Sequence, residues 1–145
     1  MIDLSINKQG LEHNIQKARE NHIVIPTIAQ MEHPETIPGK IQDKLKNVGL
    51  WDVNPLNLFR ITWKNEAKES GGLFQEVPNY VEIPSELSGV KCRIVAMAGK
   101  WFPTGCHKVG ASFGCLAPRL VTGQFDATYH HAVWPSTGNY CRGGA

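Results

Sequence analysis

The chain has 145 residues, of which 41% are hydrophobic, so it is long and apolar enough to bury the core of one domain. Its 15 basic and 13 acidic residues leave a net charge of +2, which gives no compositional support for binding nucleic-acid phosphates. It has no run of about 18 apolar residues and no signal peptide at its start, so we expect a cytoplasmic protein that does not span a membrane.

The first part of the chain is predicted to be helical and polar. Apolar residues at helical spacing predict one helix within 7–21 and a second helix after Pro38. Between them, three prolines favour an extended connector over 22–38 rather than a third element. We therefore predict that residues 1–53 form a helical N-terminal extension.

Short strands are predicted after Gly49. Two candidates are 58–63 and 80–83, and a third is the nearly continuous apolar run 92–98. An apolar run of this kind is typical of a strand that is buried on both faces of a parallel sheet.

The next part of the chain alternates between loops, a helix and a strand. A loop over 99–105 leads into a helix predicted over 106–121, with Pro118 near its end or at a kink. A strand over 130–134 and a sharp loop over 135–139 follow. This order predicts one βαβ unit of a parallel sheet, an α/β architecture in which both loops lie at the edge where ligands bind.

The first of these loops ends in a lysine that is placed for nucleophilic chemistry. Lys108 lies at the predicted start of the helix, where the helix dipole favours the neutral amine, as does burial if the side chain is partly buried. A neutral amine is what Schiff-base formation with a carbonyl cofactor requires. Taken alone, Lys108 is better explained as an ordinary surface lysine, and the second loop is what favours the nucleophile.

The second loop, Ser136-Thr137-Gly138-Asn139, contains two hydroxyls, a glycine and an amide, followed by a predicted helix start at Tyr140. Hydroxyls and backbone N–H groups can hold a carboxylate, and the Asn139 amide can donate to a phenolic oxygen. The same residues are also typical of a turn with a helix cap.

Together, the two loops resemble the paired motifs of the fold-type II pyridoxal-phosphate enzymes, the superfamily of cysteine synthase, threonine synthase and the tryptophan synthase β chain. Pro103-Thr104-Gly105-Cys106-His107-Lys108 is similar to their lysine motif, and the second loop is similar to their asparagine loop. The offset of 31 residues between Lys108 and Asn139 suits the helix and strand that the family places there. Asn54-Pro55-Leu56 resembles their Thr-Pro-Leu stretch, so the likeness covers 54–145.

The resemblance implies roles for the matching residues. Lys108 would bind pyridoxal 5′-phosphate and move the proton at the substrate α-carbon, and Asn139 would hydrogen-bond the cofactor's 3′-oxygen. His107 is placed at the cofactor because tryptophan synthase β has a histidine before its lysine. The substrate carboxylate would be held by four residues: Ser136, Thr137, Gly138 and Tyr140. The implied reaction is β-elimination or β-replacement on a small-molecule amino acid, as in cysteine synthase.

The sequence also departs from these relatives. Cysteine synthases follow the lysine with Asp-Arg, whereas Val109-Gly110 follow Lys108, and Ser-Thr-Gly-Asn is closest to the threonine synthase loop. The family's glycine-rich phosphate loop, which lies much farther downstream, has no counterpart. We therefore expect 54–145 to be the incomplete N-terminal portion of the enzyme's α/β domain, truncated at Ala145 and inactive alone. The complete protein would be a homodimer, or would need a complementary chain.

Two alternatives to an enzyme remain open. One is a noncatalytic fragment or subunit that needs a partner chain. The other is a zinc site built from these residues: Cys106, His107, Cys115, His130, His131 and Cys141. Their spacing contains neither a C-x-x-C nor an H-x₃₋₅-H pair, so we expect no metal.

Overall fold

The computed structural model describes residues 3–145, and the regular structure of this part of the chain is mostly helical. The helices and strands occur in the order α1 (Lys8–Glu20), α2 (Ile28–Glu32), α3 (Gly39–Leu45), β1 (Tyr80–Ile83), α4 (Ser85–Ser88), β2 (Ile94–Met97), α5 (Lys108–Thr122) and α6 (Asn139–Gly144). Short 3₁₀ helices lie at Pro34–Thr36, Pro55–Arg60, Lys68–Ser70 and Pro103–Gly105.

The predicted parallel-sheet α/β architecture is wrong. The sheet in residues 3–145 consists of β1 and β2 alone, which are antiparallel, with Tyr80 opposite Met97. No strand forms over 130–134, so the described residues contain no βαβ unit. A parallel pair needs a crossover of about a dozen residues or more, whereas the shorter connection 84–93 lets neighbouring strands pair antiparallel.

One strand prediction failed for a local reason, and another was wrong about burial. The predicted strand 58–63 begins inside the 3₁₀ helix Pro55–Arg60, which starts where the Asn54 side chain accepts a hydrogen bond from the Leu56 N–H. The apolar run 92–98 does contain β2, but the strand is not buried, since Val95 is 42% exposed and Met97 is 46% exposed. The composition of this run therefore predicted a strand correctly but not whether the strand is buried.

The prediction of a connector without helices over 22–38 is also wrong. This segment contains α2 and the 3₁₀ helix Pro34–Thr36. At the start of α2, the Thr27 hydroxyl accepts from the Gln30 N–H while the Gln30 side chain accepts from the Thr27 N–H. This capping box satisfies two N–H groups that a short helix otherwise leaves without partners.

The helix predictions at 7–21, after Pro38 and within 106–121 are confirmed. The first helix, α1, is capped by Asn7, whose side chain accepts from the Gly10 N–H. The helix predicted within 106–121 is α5, and Pro118 lies inside it, near its C-terminal end.

Contacts divide the chain into two compact units. The first joins the chain up to Ile25 to Lys108–Ala145, and the second is Pro26–His107. The predicted division into 1–53 and 54–145 rests on likeness to a family rather than on contacts, and it stays a prediction.

In the first unit, α1 packs against the C-terminal end of α5. The Asn7 N–H donates to the Thr122 carbonyl at 2.8 Å. The backbones of Gly10 and Gly123 approach so closely that a Cβ on either residue would collide with the other segment. Glycine is required at Gly123 for a second reason, because its φ of 74° is in the left-handed region.

In the second unit, the apolar cluster of Ile37, Leu45 and Phe59 packs beside a buried arginine. The Arg60 side chain is 4% exposed, and its guanidinium donates to three backbone carbonyls and to the Asn57 side chain. Desolvation lowers the pKa of Arg60, but these acceptors satisfy the buried charge.

Candidate functional site

The predicted nucleophile begins a helix in the first unit. Lys108 is the first residue of α5, and it is exposed to solvent, so the partial burial considered from the sequence is not found. The helix continues for 15 residues, so its N-terminus carries a full share of the helix dipole. The predicted start of this helix, at 106, is two residues too early.

The other half of the lysine motif belongs to the second unit. The His107 ring stacks on Trp63 with ring centroids 5.4 Å apart and an interplanar angle of 27°. Cys106 Sγ lies 3.9 Å from His107 Nδ1. His107 thus has an aromatic neighbour of its own, and its predicted place at a cofactor stays a prediction.

The asparagine loop leads into α6. Asn139 is the first residue of this six-residue helix and Gly138 is its N-cap. The Gly138 N–H donates to Ser136 Oγ at 3.2 Å, so the Ser136 hydroxyl is used within the loop. Both Thr137 and Asn139 are exposed, which leaves their side chains accessible to a ligand.

The helices that begin at Lys108 and Asn139 pack against each other. Ser112 Oγ donates to the Tyr140 carbonyl at 2.9 Å, which joins α5 to α6. A Cβ on Gly143 would lie 2.7 Å from Val109 Cα, so the two backbones nearly touch. The structure thus places Lys108 and Asn139 at the starts of adjacent helices of one unit, although the predicted strand between them is absent.

Tyr140 anchors α6 along the length of α5. Its ring meets Trp134 edge-on, with centroids 5.3 Å apart, and its hydroxyl donates to Cys115 Sγ at 3.3 Å. Donation to the Cys115 sulphur raises the pKa of the Tyr140 phenol. The Tyr140 side chain is therefore used in packing, and its backbone N–H is the group left for the predicted carboxylate contact.

Thr104 is a strained residue within the lysine motif. Its φ is 62°, a conformation that is rare for β-branched residues, and its Oγ1 is buried without a hydrogen-bond partner. In residues 3–145, the other buried side-chain oxygen without a partner is Asn65 Oδ1. Backbone strain and buried hydroxyls without partners are often found in functional loops, and Thr104 shows both.

Two features of the first unit were not predicted from the sequence. An apolar groove of about 520 Å³ lies between α1 and the end of α5, lined by Leu11, Ile15 and Leu120 among others. Ser112 was missed because a serine inside a helix has no distinctive pattern. Its only signal was its position four residues after Lys108, on the same face of α5.

The zinc alternative has no geometric support in the described residues. Within 3–145, no group of three or more His, Cys, Asp or Glu side chains could hold a metal ion. All four cysteines are free thiols. Among the helices of the same residues, none is long and apolar enough to cross a bilayer.

Comparisons of the chain with family models, with curated proteins and with solved structures find no match. The site therefore rests on its own residues and their packing.

Proposed function

We propose that this chain supplies the lysine and asparagine of a pyridoxal-phosphate enzyme that acts on an amino acid by β-elimination or β-replacement. The observation that carries the proposal is the pairing of the two motifs: Lys108 and Asn139, 31 residues apart, begin two helices that pack together. The parallel sheet of the family gives the proposal no support, because the described residues do not form one.

The donor set suits this cofactor. An exposed primary amine at Lys108 is a nucleophile for an aldehyde, and an exposed amide at Asn139 can donate to a phenolic oxygen. When bound, pyridoxal phosphate supplies an electron sink for the bond that breaks at the substrate α-carbon. Lys108 would move the proton at that carbon, and Asn139 would orient the ring.

The exposure of both side chains has a consequence for assembly. Cofactor sites usually enclose most of the ligand, whereas Lys108 and Asn139 are open to solvent. The remaining walls of the pocket, including the phosphate site, therefore have to come from the remainder of the enzyme or from a complementary chain. The predicted homodimer and the cytoplasmic location stay predictions.

The proposal is tested by the selectivity of cofactor attachment. The full chain is titrated with pyridoxal phosphate, reduced with borohydride and digested, and the labelled lysines are identified by mass spectrometry. Lys8 is the matched control, because it is likewise an exposed lysine at the first position of a helix, α1, but has no α6 beside it. We expect the Lys108/Lys8 labelling ratio to rise well above one as the cofactor concentration falls.

One observation favours a second candidate, a noncatalytic subunit that binds a partner chain. The hairpin of β1 and β2 leaves apolar side chains in solvent, with Val81 60% exposed, and isolated two-stranded hairpins are marginally stable at best. This candidate predicts that Lys108 labels no more readily than Lys8, so the same titration separates it from the enzyme.

A further inference from the structure

We propose that Ser112 is a positioning residue that sets Lys108 relative to Asn139. The inference rests on the proposed function and deepens it, because Ser112 contacts the backbone of both motifs. Its Oγ lies 3.2 Å from the Lys108 carbonyl and 2.9 Å from the carbonyl of Tyr140, the residue after Asn139.

The hydroxyl has one proton for two acceptors. A serine inside a helix ordinarily donates to the carbonyl four residues earlier, which here belongs to Lys108. The contact to Tyr140 is the shorter of the two, so the proton is directed across the helix interface. Ser112 thereby joins its own helix, α5, to α6.

Burial makes the loss of this hydrogen bond costly. Ser112 is 2% exposed, so no water replaces its hydroxyl when it is removed. The close approach of Gly143 to Val109 lets α6 lie within reach of this short side chain. The Ser112 contact therefore fixes the position of α6 on α5, and with it the relative position of Lys108 and Asn139, whose side chains are exposed.

The test compares Ser112→Ala with Thr122→Val in the full chain. Thr122 is also a buried hydroxyl residue of α5, but its Oγ1 donates to Pro118 in the same helix and does not reach α6. We expect Ser112→Ala to lower the Lys108/Lys8 labelling ratio about fivefold, the effect of losing one hydrogen bond, and Thr122→Val to leave the ratio unchanged.

Ser112→Cys provides a second variant in case the alanine variant does not fold, because the thiol keeps a weak donor. We expect its ratio to lie between those of the wild type and Ser112→Ala. A wild-type ratio above one that neither folded Ser112 variant changes would overturn the inference and leave the proposed function standing. A wild-type ratio of one would overturn both.

Discussion

Asn139 is the first residue of α6, and its amide is free to bind a ligand because its side chain is exposed. We predict that Asn139→Ala keeps cofactor attachment at Lys108 but raises the half-saturating concentration about fivefold, since one orienting hydrogen bond is lost while the nucleophile remains. The measurement is the borohydride-trapped label at Lys108 across a cofactor titration. Asn47→Ala, at an exposed asparagine of the second unit, is the control. An unchanged titration curve for Asn139→Ala would count against the assigned role.

Asp126 makes the stability of the first unit depend on pH in the acid range. The Thr128 hydroxyl donates to this carboxylate, as does the Thr128 N–H, and His13 Nδ1 lies 2.7 Å from Asp126 Oδ2. The Thr128 hydroxyl, together with these other contacts, lowers the pKa of Asp126 from 3.8 to about 2.

Because the folded-state pKa of Asp126 lies below its ordinary value, its contribution to stability is complete above pH 3.8 and is lost as the pH falls towards 2. We predict that Asp126→Asn lowers stability at neutral pH and flattens its decline between these two values. Denaturant unfolding from pH 7 to pH 2 measures this, with exposed Asp43→Asn as the control. A decline as steep as that of the wild type would show that another group is responsible.

At the scale of elements, the contact between α5 and α6 depends on a glycine, Gly143, which has no side chain. A Cβ on Gly143 would lie 2.7 Å from Val109 Cα, whereas Gly114, inside α5, has open space around it. We predict that Gly143→Ala destabilises the protein by about 1–3 kcal/mol through overpacking.

The control substitution is expected to change the stability in the opposite direction. Gly114→Ala replaces a glycine within a helix where nothing obstructs the methyl group, so we expect up to about 1 kcal/mol of added stability. Both values come from denaturant unfolding of the full chain. Equal effects of the two substitutions would mean that α6 does not pack on α5 as described.

The helices could be predicted from the sequence because their signals are local. Asn7 caps α1 and the apolar spacing of α5 covers its whole length, so neither helix depends on distant residues for its recognition. The apolar run containing β2 was also recognised as a strand. Its partner β1 was predicted at 80–83, but their antiparallel pairing was not, because an apolar run does not specify whether its partner is parallel, antiparallel or absent.

The candidate site also has residues that the sequence indicates and contacts that it does not. Lys108 and the Ser136–Asn139 loop stand out by residue type and spacing, so the sequence alone indicates them. The contacts of Ser112 and Gly143 could not be predicted, since they depend on how α6 returns to α5 after the irregular segment 123–138. The same holds for the ring of His107, whose neighbour Trp63 is distant in sequence.

At the scale of the whole molecule, the boundary between the two compact units falls within the lysine motif. His107 ends the second unit and Lys108 begins the returning part of the first. The roles predicted for these two neighbours are therefore separate hypotheses, and the proposed function depends on Lys108.

The most direct test of the central claim is the Lys108/Lys8 labelling ratio of the wild-type chain at low pyridoxal phosphate. Both lysines are exposed and both begin a helix, so exposure and the helix dipole affect them alike. The proposed function predicts a ratio well above one that increases as the cofactor is diluted. A ratio that stays at one across the titration would contradict it.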